Sequence, residues 1–267
     1  MSHVLQVGVG SGGMVVLDLL SRDAKLTRVT LIEPDVYKSH NAARHYFPPA
    51  AAGQAKLDLA AAWLRERRPD LEVVQLRCDL LEESVQTTLA AAAAECTLGV
   101  CAVDNEPAKY HWDALMRRHG KPWTLGEVLS GGIGGFVHAF IPGGPCYGCV
   151  ASHLKRDIVV DRPPTPDYTA PSGPIHETTI PAYAAAIHAI ASLHAVITLD
   201  LLEGRTPQFT TLLVTLQAVP EVFPEAFRSH RLRWERLPDC LLCAAAAPTP
   251  ENLDAALAQA LARLGNP

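Results

Sequence analysis

The sequence predicts an α/β fold, a mainly parallel sheet with helices on both faces. Three observations carry that prediction. Strand-like and helix-like segments alternate through the first half of the chain. A glycine-rich turn, Gly8-Val9-Gly10-Ser11-Gly12-Gly13, joins an apolar run to an amphipathic one. The polar residues suited to ligand contact fall just after strand-like runs.

The first strand is expected at Val4–Val9 and the first helix at Gly13–Arg22. A strand that enters a glycine turn and leaves as a helix lets bare backbone approach a phosphate, and the helix start offers unpaired N–H groups. Gly8, Gly10 and Gly13 are therefore candidate nucleotide contacts. The second strand, Val29–Ile32, ends at Glu33, near the offset at which an acid meets a ribose 2′-hydroxyl, so turn and acid together describe a ribonucleotide site. Helices over Ala55–Arg67, Glu82–Glu95 and Ala108–His119 alternate with strands over Val73–Arg77, Leu98–Val103 and Trp123–Glu127. The pattern is Rossmann-like, which puts ligands at the carboxyl ends of the strands, where Glu33, Asp35 and Asp104 fall.

The second half of the chain changes character. Gly131, Gly132, Gly134 and Gly135 lead into a strand at Phe136–Ile141, and six prolines between Asp161 and Pro181 describe a long surface loop. A helix over Ala182–Leu202, a strand over Phe209–Gln217 and a C-terminal helix over Glu251–Leu264 complete the reading. It divides into a nucleotide-binding half, 1–145, and a β-rich second half, 146–267, within one continuous domain.

The net charge of −5, from 23 basic and 28 acidic residues, supplies no basic excess for nucleic acid or an anionic membrane. Pro181, His188, His194 and Asp200 interrupt the apolar stretch from Ile180 to Leu202, which argues against a membrane span. With no secretion signal visible, a cytoplasmic protein with reduced thiols is expected. Of seven cysteines, Cys78, Cys96 and Cys101 lie in or beside apolar runs and are expected in the core. The other four form two CxxC pairs, Cys146/Cys149 and Cys240/Cys243, whose doubled spacing suits one tetrahedral zinc better than a redox pair. Four thiolates leave no open position for water, so the zinc is expected to be structural, tying the C-terminal segment to the rest. His188 and His194, six apart on one helix, do not share a face and are not read as ligands.

Glu33-Pro34-Asp35, then His40-Asn41-Ala42-Ala43-Arg44-His45, then Gly53-Gln54-Ala55-Lys56, then Asp104-Asn105 and the two CxxC pairs follow one another in a recognisable order. This order resembles the pattern DxD…SNxxRQ…GxxK of the adenylyltransferases related to ThiF, MoeB and the ubiquitin-activating enzymes, over roughly Val4 to Cys243. The resemblance implies magnesium-ATP-dependent adenylation of the C-terminal carboxylate of a small ubiquitin-like or sulfur-carrier protein, in a homodimer. It also implies site roles: Glu33 on the ribose, Asn41 and Arg44 on phosphates, Lys56 neutralising the triphosphate, Asp104 holding magnesium, and Asp35 as second acid. Arg44, Lys56 and Asp104 are the catalytic candidates.

Several positions depart from the family pattern. His40 and His45 replace its Ser and Gln, where they are read as phosphate or ribose contacts, and Lys109 stands where an arginine is expected. The loop within 151–181 holds no cysteine, so the chain either stops at the acyl-adenylate or passes the acyl group to a hydroxyl such as Ser172, Thr178 or Thr179, beside His176 and Glu177. Two other readings stay open at this point: a scaffold subunit that does not turn over ATP, and an NAD-binding oxidoreductase using the same glycine turn.

Overall fold

In the computed structural model, residues 2–154 and 182–244 are described. The proline-rich segment with Ser172, His176, Glu177, Thr178 and Thr179, and the expected helix over 251–264, lie outside these residues.

Eight strands form one sheet. Five are parallel: β1 (Ser2–Val7), β2 (Leu26–Ile32), β3 (Glu72–Leu76), β4 (Leu98–Cys101) and β5 (Trp123–Val128). Three antiparallel strands extend the sheet beyond β5: β6 (Gly134–Phe140), β7 (Thr211–Thr215) and β8 (Ser229–Leu232). The order is β3-β2-β1-β4-β5-β6-β7-β8, so the sheet runs without a break from the first half of the chain into the second. Parallel strands need long crossovers, and helices supply them here: α1 (Ser11–Ser21), α2 (Lys56–Arg67), α3 (Gln86–Glu95) and α4 (Glu106–Arg118). The second half adds α5 (Tyr147–His153) and α6 (Ala184–Leu202).

The two faces of the sheet bury separate cores. On one, Met14 and Leu17 of α1 and Leu57 and Leu64 of α2 pack with Ala191 and Ala195 of α6 over Val4, Val29 and Val100. On the other, Leu89 of α3, Trp112 and Met116 of α4 and Tyr147 and Val150 of α5 cover Leu5, Cys101, Trp123 and Leu125. Cys96 and Cys101 lie within this second core and half-buried Cys78 packs against it, as expected from sequence. The apolar helix α6 has the length and composition of a membrane span, yet it lies along β5, β6 and α1. Glycines let it close on the sheet. A Cβ at Gly126 would stand 2.6 Å from His194 Nδ1, and one at Gly135 2.6 Å from Ile190 Cγ1.

The expected elements are all present within the described residues, with ends displaced by a few residues. Two were not foreseen. The first CxxC pair opens helix α5, and β8 adds a short polar edge strand whose residues are almost wholly exposed, leaving little apolar periodicity to read.

Candidate functional site

β1 lies between β2 and β4, so the chain leaves β1 toward one side for β2 and β3 and toward the other for β4 and β5. This switch point brings the glycine turn after β1, Glu33 after β2 and Asp104 after β4 to neighbouring positions at one end of the sheet.

The turn is held from several sides. Buried Gln6 donates its amide to the carbonyls of Gly8 and Gly13, both at 2.9 Å, and Gly8 N donates to Ile32 O. Glu33 Oε2 accepts the Val9 N–H at 2.9 Å, while His45 Nε2 reaches the Val9 carbonyl at 3.1 Å. His45 Nδ1 already accepts the Tyr46 N–H, so the ring proton sits on Nε2 and donates to Val9. Burial pushes the His45 pKa down to about 4, helped by the charges of Lys56 and Arg44, and keeps the ring neutral. Its ring also stacks on Phe47, with centroids 5.0 Å apart. His45 is thus a support for the turn, which corrects its reading as a phosphate or ribose contact. Gln6 escaped sequence reading altogether, because an apolar strand gives no sign of which way one amide points.

Among the described residues no side chain caps α1, whose first turn leaves the glycine loop with Gly10 at the N-cap. The amide end of that helix is open to an anion.

Lys56 comes to the same place because residues 35–37 pair with 53–56: Lys56 N donates to Asp35 O, Tyr37 N to Gln54 O, and Val36 bridges Ala55. Lys56 Nζ lies 2.6 Å from Asp35 Oδ2 and 3.9 Å from Glu33 Oε1. Asp35 therefore orients Lys56. Glu33 is 6% exposed and its second oxygen accepts the Asp35 N–H, so one carboxylate ties the turn, the acid pair and the lysine together.

Asn41 is buried, and its Oδ1 accepts the Lys38 N–H at 2.9 Å, fixing the short 3-10 helix Ser39–Ala43 that delivers Arg44. Among the described residues the Arg44 guanidinium makes no ion pair. Asp104 is exposed just beyond β4, and Asn105 caps α4 by accepting the Ala108 N–H at 2.9 Å. The structure thus brings Gly8, Gly10, Gly13, Glu33, Asp35 and Lys56 into one connected cluster, with Asp104 beyond the neighbouring strand. Asn41 shapes the loop that carries Arg44.

Lys109, which stands where the family pattern has an arginine, is buried between two carboxylates. It is 5% exposed, with Nζ 2.7 Å from both Glu106 Oε1 and Glu127 Oε1. Burial pulls the ammonium pKa down, but the two carboxylates outweigh it and hold the group above its ordinary value. Glu127 Oε2 meets His138 Nε2 at 2.9 Å, and Glu106 Oε2 accepts the Tyr147 hydroxyl at 2.7 Å. These partners come from α4, β5, β6 and α5, elements with no sequence motif in common. Glu127 lines a pocket of about 380 Å³ with Val128, Leu129, Ser130, Phe136 and Leu154, at the end of the strand beside β4.

The four knuckle cysteines meet although 94 residues separate the pairs. Sγ–Sγ distances are 3.7 Å for Cys146–Cys149, 3.5 Å for Cys146–Cys240 and 3.4 Å for Cys149–Cys243, and all four sulfurs lie within 4.8 Å of one another. A disulfide needs about 2.05 Å, whereas a tetrahedron of thiolates 2.3 Å from zinc has edges of about 3.8 Å. All four are buried, and the donor set fits a four-coordinate thiophilic ion. His194 donates no ligand: burial pushes its pKa down to about 3, and Nε2 bonds Thr124 Oγ1 at 2.8 Å. His188 stacks on Tyr46.

Known proteins share this organisation. A model of the ThiF family matches residues 1–242. Ubiquitin-like modifier-activating enzyme 5 of Drosophila willistoni is 26% identical over 168 residues, 60% of this chain and 41% of that protein. The Gallus gallus enzyme of the same name is 28% identical over 152 residues, 54% of this chain and 38% of that protein. The chain thus spans about two fifths of the curated relatives it matches. In fold it is similar to E. coli MccB solved with ATP, at a TM-score of 0.66 and 16% identity, covering 91% of this chain and 67% of that one. The microcin C7 biosynthetic enzyme MccB in complex with N-formylated MccA gives 0.67 and 17% over the same shares. A family match across almost every described residue makes the chain a member of the ThiF family.

Proposed function

We propose that this chain uses ATP to adenylate a C-terminal carboxylate, that of a small ubiquitin-like protein, a sulfur carrier or a short peptide. The observation that carries the reading is the connected cluster of the glycine turn, Glu33, Asp35 and Lys56 at the switch point of the sheet, with Asp104 following the neighbouring strand. The named relatives fit it: one group is called ubiquitin-like modifier-activating, and MccB has been solved with ATP and with MccA.

A carboxylate is a poor electrophile until its oxygen is phosphorylated. Its oxygen attacks the α-phosphorus of ATP, the bond to the bridging oxygen of the β-phosphate breaks, and pyrophosphate leaves with that electron pair. Two anions have to meet, so the work of the protein is positioning and charge neutralisation. The glycine-turn amides and the α1 dipole would face phosphate, Lys56 and Arg44 would offset its charge, and Asp104 would hold a magnesium ion, which supplies further neutralisation. Glu33 would accept a ribose hydroxyl while keeping the turn in place. With no cysteine in 151–181, the acyl-adenylate itself is the proposed product.

Zinc is the ion we assign to Cys146, Cys149, Cys240 and Cys243, as a structural tie. A cytoplasmic location and a homodimer belong to the same reading.

The test is exchange of labelled pyrophosphate into ATP, dependent on added candidate carriers and peptides. Exchange with the wild type and its loss in Asp104→Ala support adenylation. ATP binding without exchange favours a scaffold subunit, a reading that the internally neutralised Lys109 keeps in view. Binding of NAD but not ATP would make the chain an oxidoreductase.

A further inference from the structure

The polar groups around Lys109 form a chain that starts and ends on helix α5. From its first residue, Tyr147, the hydroxyl donates to Glu106 Oε2 at 2.7 Å, and Glu106 Oε1 meets Lys109 at 2.7 Å. Lys109 meets Glu127 Oε1 at 2.7 Å, Glu127 Oε2 meets His138 at 2.9 Å, and His138 Nδ1 meets Thr211 Oγ1 at 2.8 Å. Trp234 Nε1 donates to Thr211 Oγ1 at 3.1 Å, and the Trp234 ring stacks on His153, in the last turn of α5, with centroids 5.0 Å apart. Tyr147 N also donates to Asp113 Oδ1 on α4 at 3.1 Å.

One end of this chain and two of its inner members lie beside candidate sites. Cys146 and Cys149 flank Tyr147, so movement of Tyr147 moves two of the four thiolates. At the other side, Glu106 is two residues past Asp104 in the head of α4, and Glu127 lines the pocket at the next strand end. At its buried members, Lys109, His138 and Tyr147, the network has strong preferences, because each would be left with an unsatisfied polar group on losing its partner.

We propose that Tyr147, Glu106 and Lys109 are positioning residues that couple the four-cysteine metal site to the nucleotide end of the sheet, so that occupation of one reorders the other. The proposal rests on the adenylation reading for its nucleotide. Energetic coupling is reciprocal, so ATP bound near Asp104 must be felt at the thiolates if the thiolates are felt at the ATP site.

Cobalt(II) in place of zinc gives the sulfurs an optical signature. In the full chain loaded with one cobalt, adding magnesium-ATP should shift the d–d bands and slow amide exchange across α5 by about tenfold. Tyr147→Phe should keep the cobalt stoichiometry but lose both responses. If Tyr147→Phe fails to fold, Glu106→Gln serves instead, since it keeps the shape and removes the charge that holds Lys109. Either variant responding like the wild type would overturn the proposal. So would an unmoved wild-type spectrum when calorimetry shows ATP bound, or a protein that takes up no cobalt. A wild type that binds no ATP would bring down the adenylation reading first and the coupling with it.

Discussion

A Cβ at Gly8 would meet the Ala102 carbonyl oxygen at 2.4 Å, and one at Gly13 would meet the Gly8 carbonyl oxygen at 2.3 Å, whereas one at Gly10 would meet nothing within 4 Å. Gly8 also holds a φ of +89°. Packing therefore requires glycine at Gly8 and Gly13 but not at Gly10. Gly8→Ala or Gly13→Ala should cost at least about 2 kcal/mol of stability in chemical denaturation. Gly10→Ala should leave the unfolding midpoint unchanged but weaken ATP binding roughly tenfold by calorimetry. An equal loss of stability in all three would contradict this division. The motif was legible as glycines at a spacing, and the distinction between them was not, since it depends on β4 lying beside β1.

Among the elements, α6 and β5 meet through a buried polar contact that sets an acid limit on the fold. His194 is neutral in the folded chain, with its pKa near 3, and near 6.5 when unfolded. Below pH 6.5 the unfolded chain takes up a proton that the folded chain refuses, so stability falls as pH drops from about 6.5 toward 3. One such site contributes up to about 1.4 kcal/mol per pH unit. His45, near 4 when folded, adds to the same slope. His194→Gln, which can still bond Thr124, should roughly halve the decline between pH 6.5 and 4 in urea unfolding; an unchanged profile would contradict the assignment. At the head of α4, Asn105→Ala removes the cap and should cost about 1 kcal/mol. Most strands and helices could be read from hydrophobic period, while α5 and β8 could not: one is only seven residues long and the other nearly all exposed.

Across the whole molecule, the cysteine cluster joins the start of α5 to residues 240–243, closing a loop of 94 residues. Metal binding at such a site is folding free energy, on the order of ten kcal/mol in small zinc modules. A strong chelator should therefore lower the thermal midpoint of the full chain by well over about 5 °C, and Cys240→Ser should reproduce the effect without added chelator. Metal analysis finding no zinc in freshly purified protein, together with an unshifted midpoint, would rule the site out. The closure anchors the segment that follows β8, so chelation should loosen that edge strand first in hydrogen exchange.

The sequence by itself determined the fold class, the glycine turn, the four cysteines and the candidate residues from Glu33 to Asp104, because each is written as a local period or as residue types at a fixed spacing. Lys109 shows what it could not determine. Its place in the chain says only that it stands where an arginine is expected, while its surroundings in space are Glu106 and Glu127, contributed by a helix start and a neighbouring strand. The contacts of Gln6, His45 and Tyr147 were likewise decided only by tertiary structure. Side-chain partners separated by dozens of residues depend on strand order and helix packing, and no local pattern in a single chain records them.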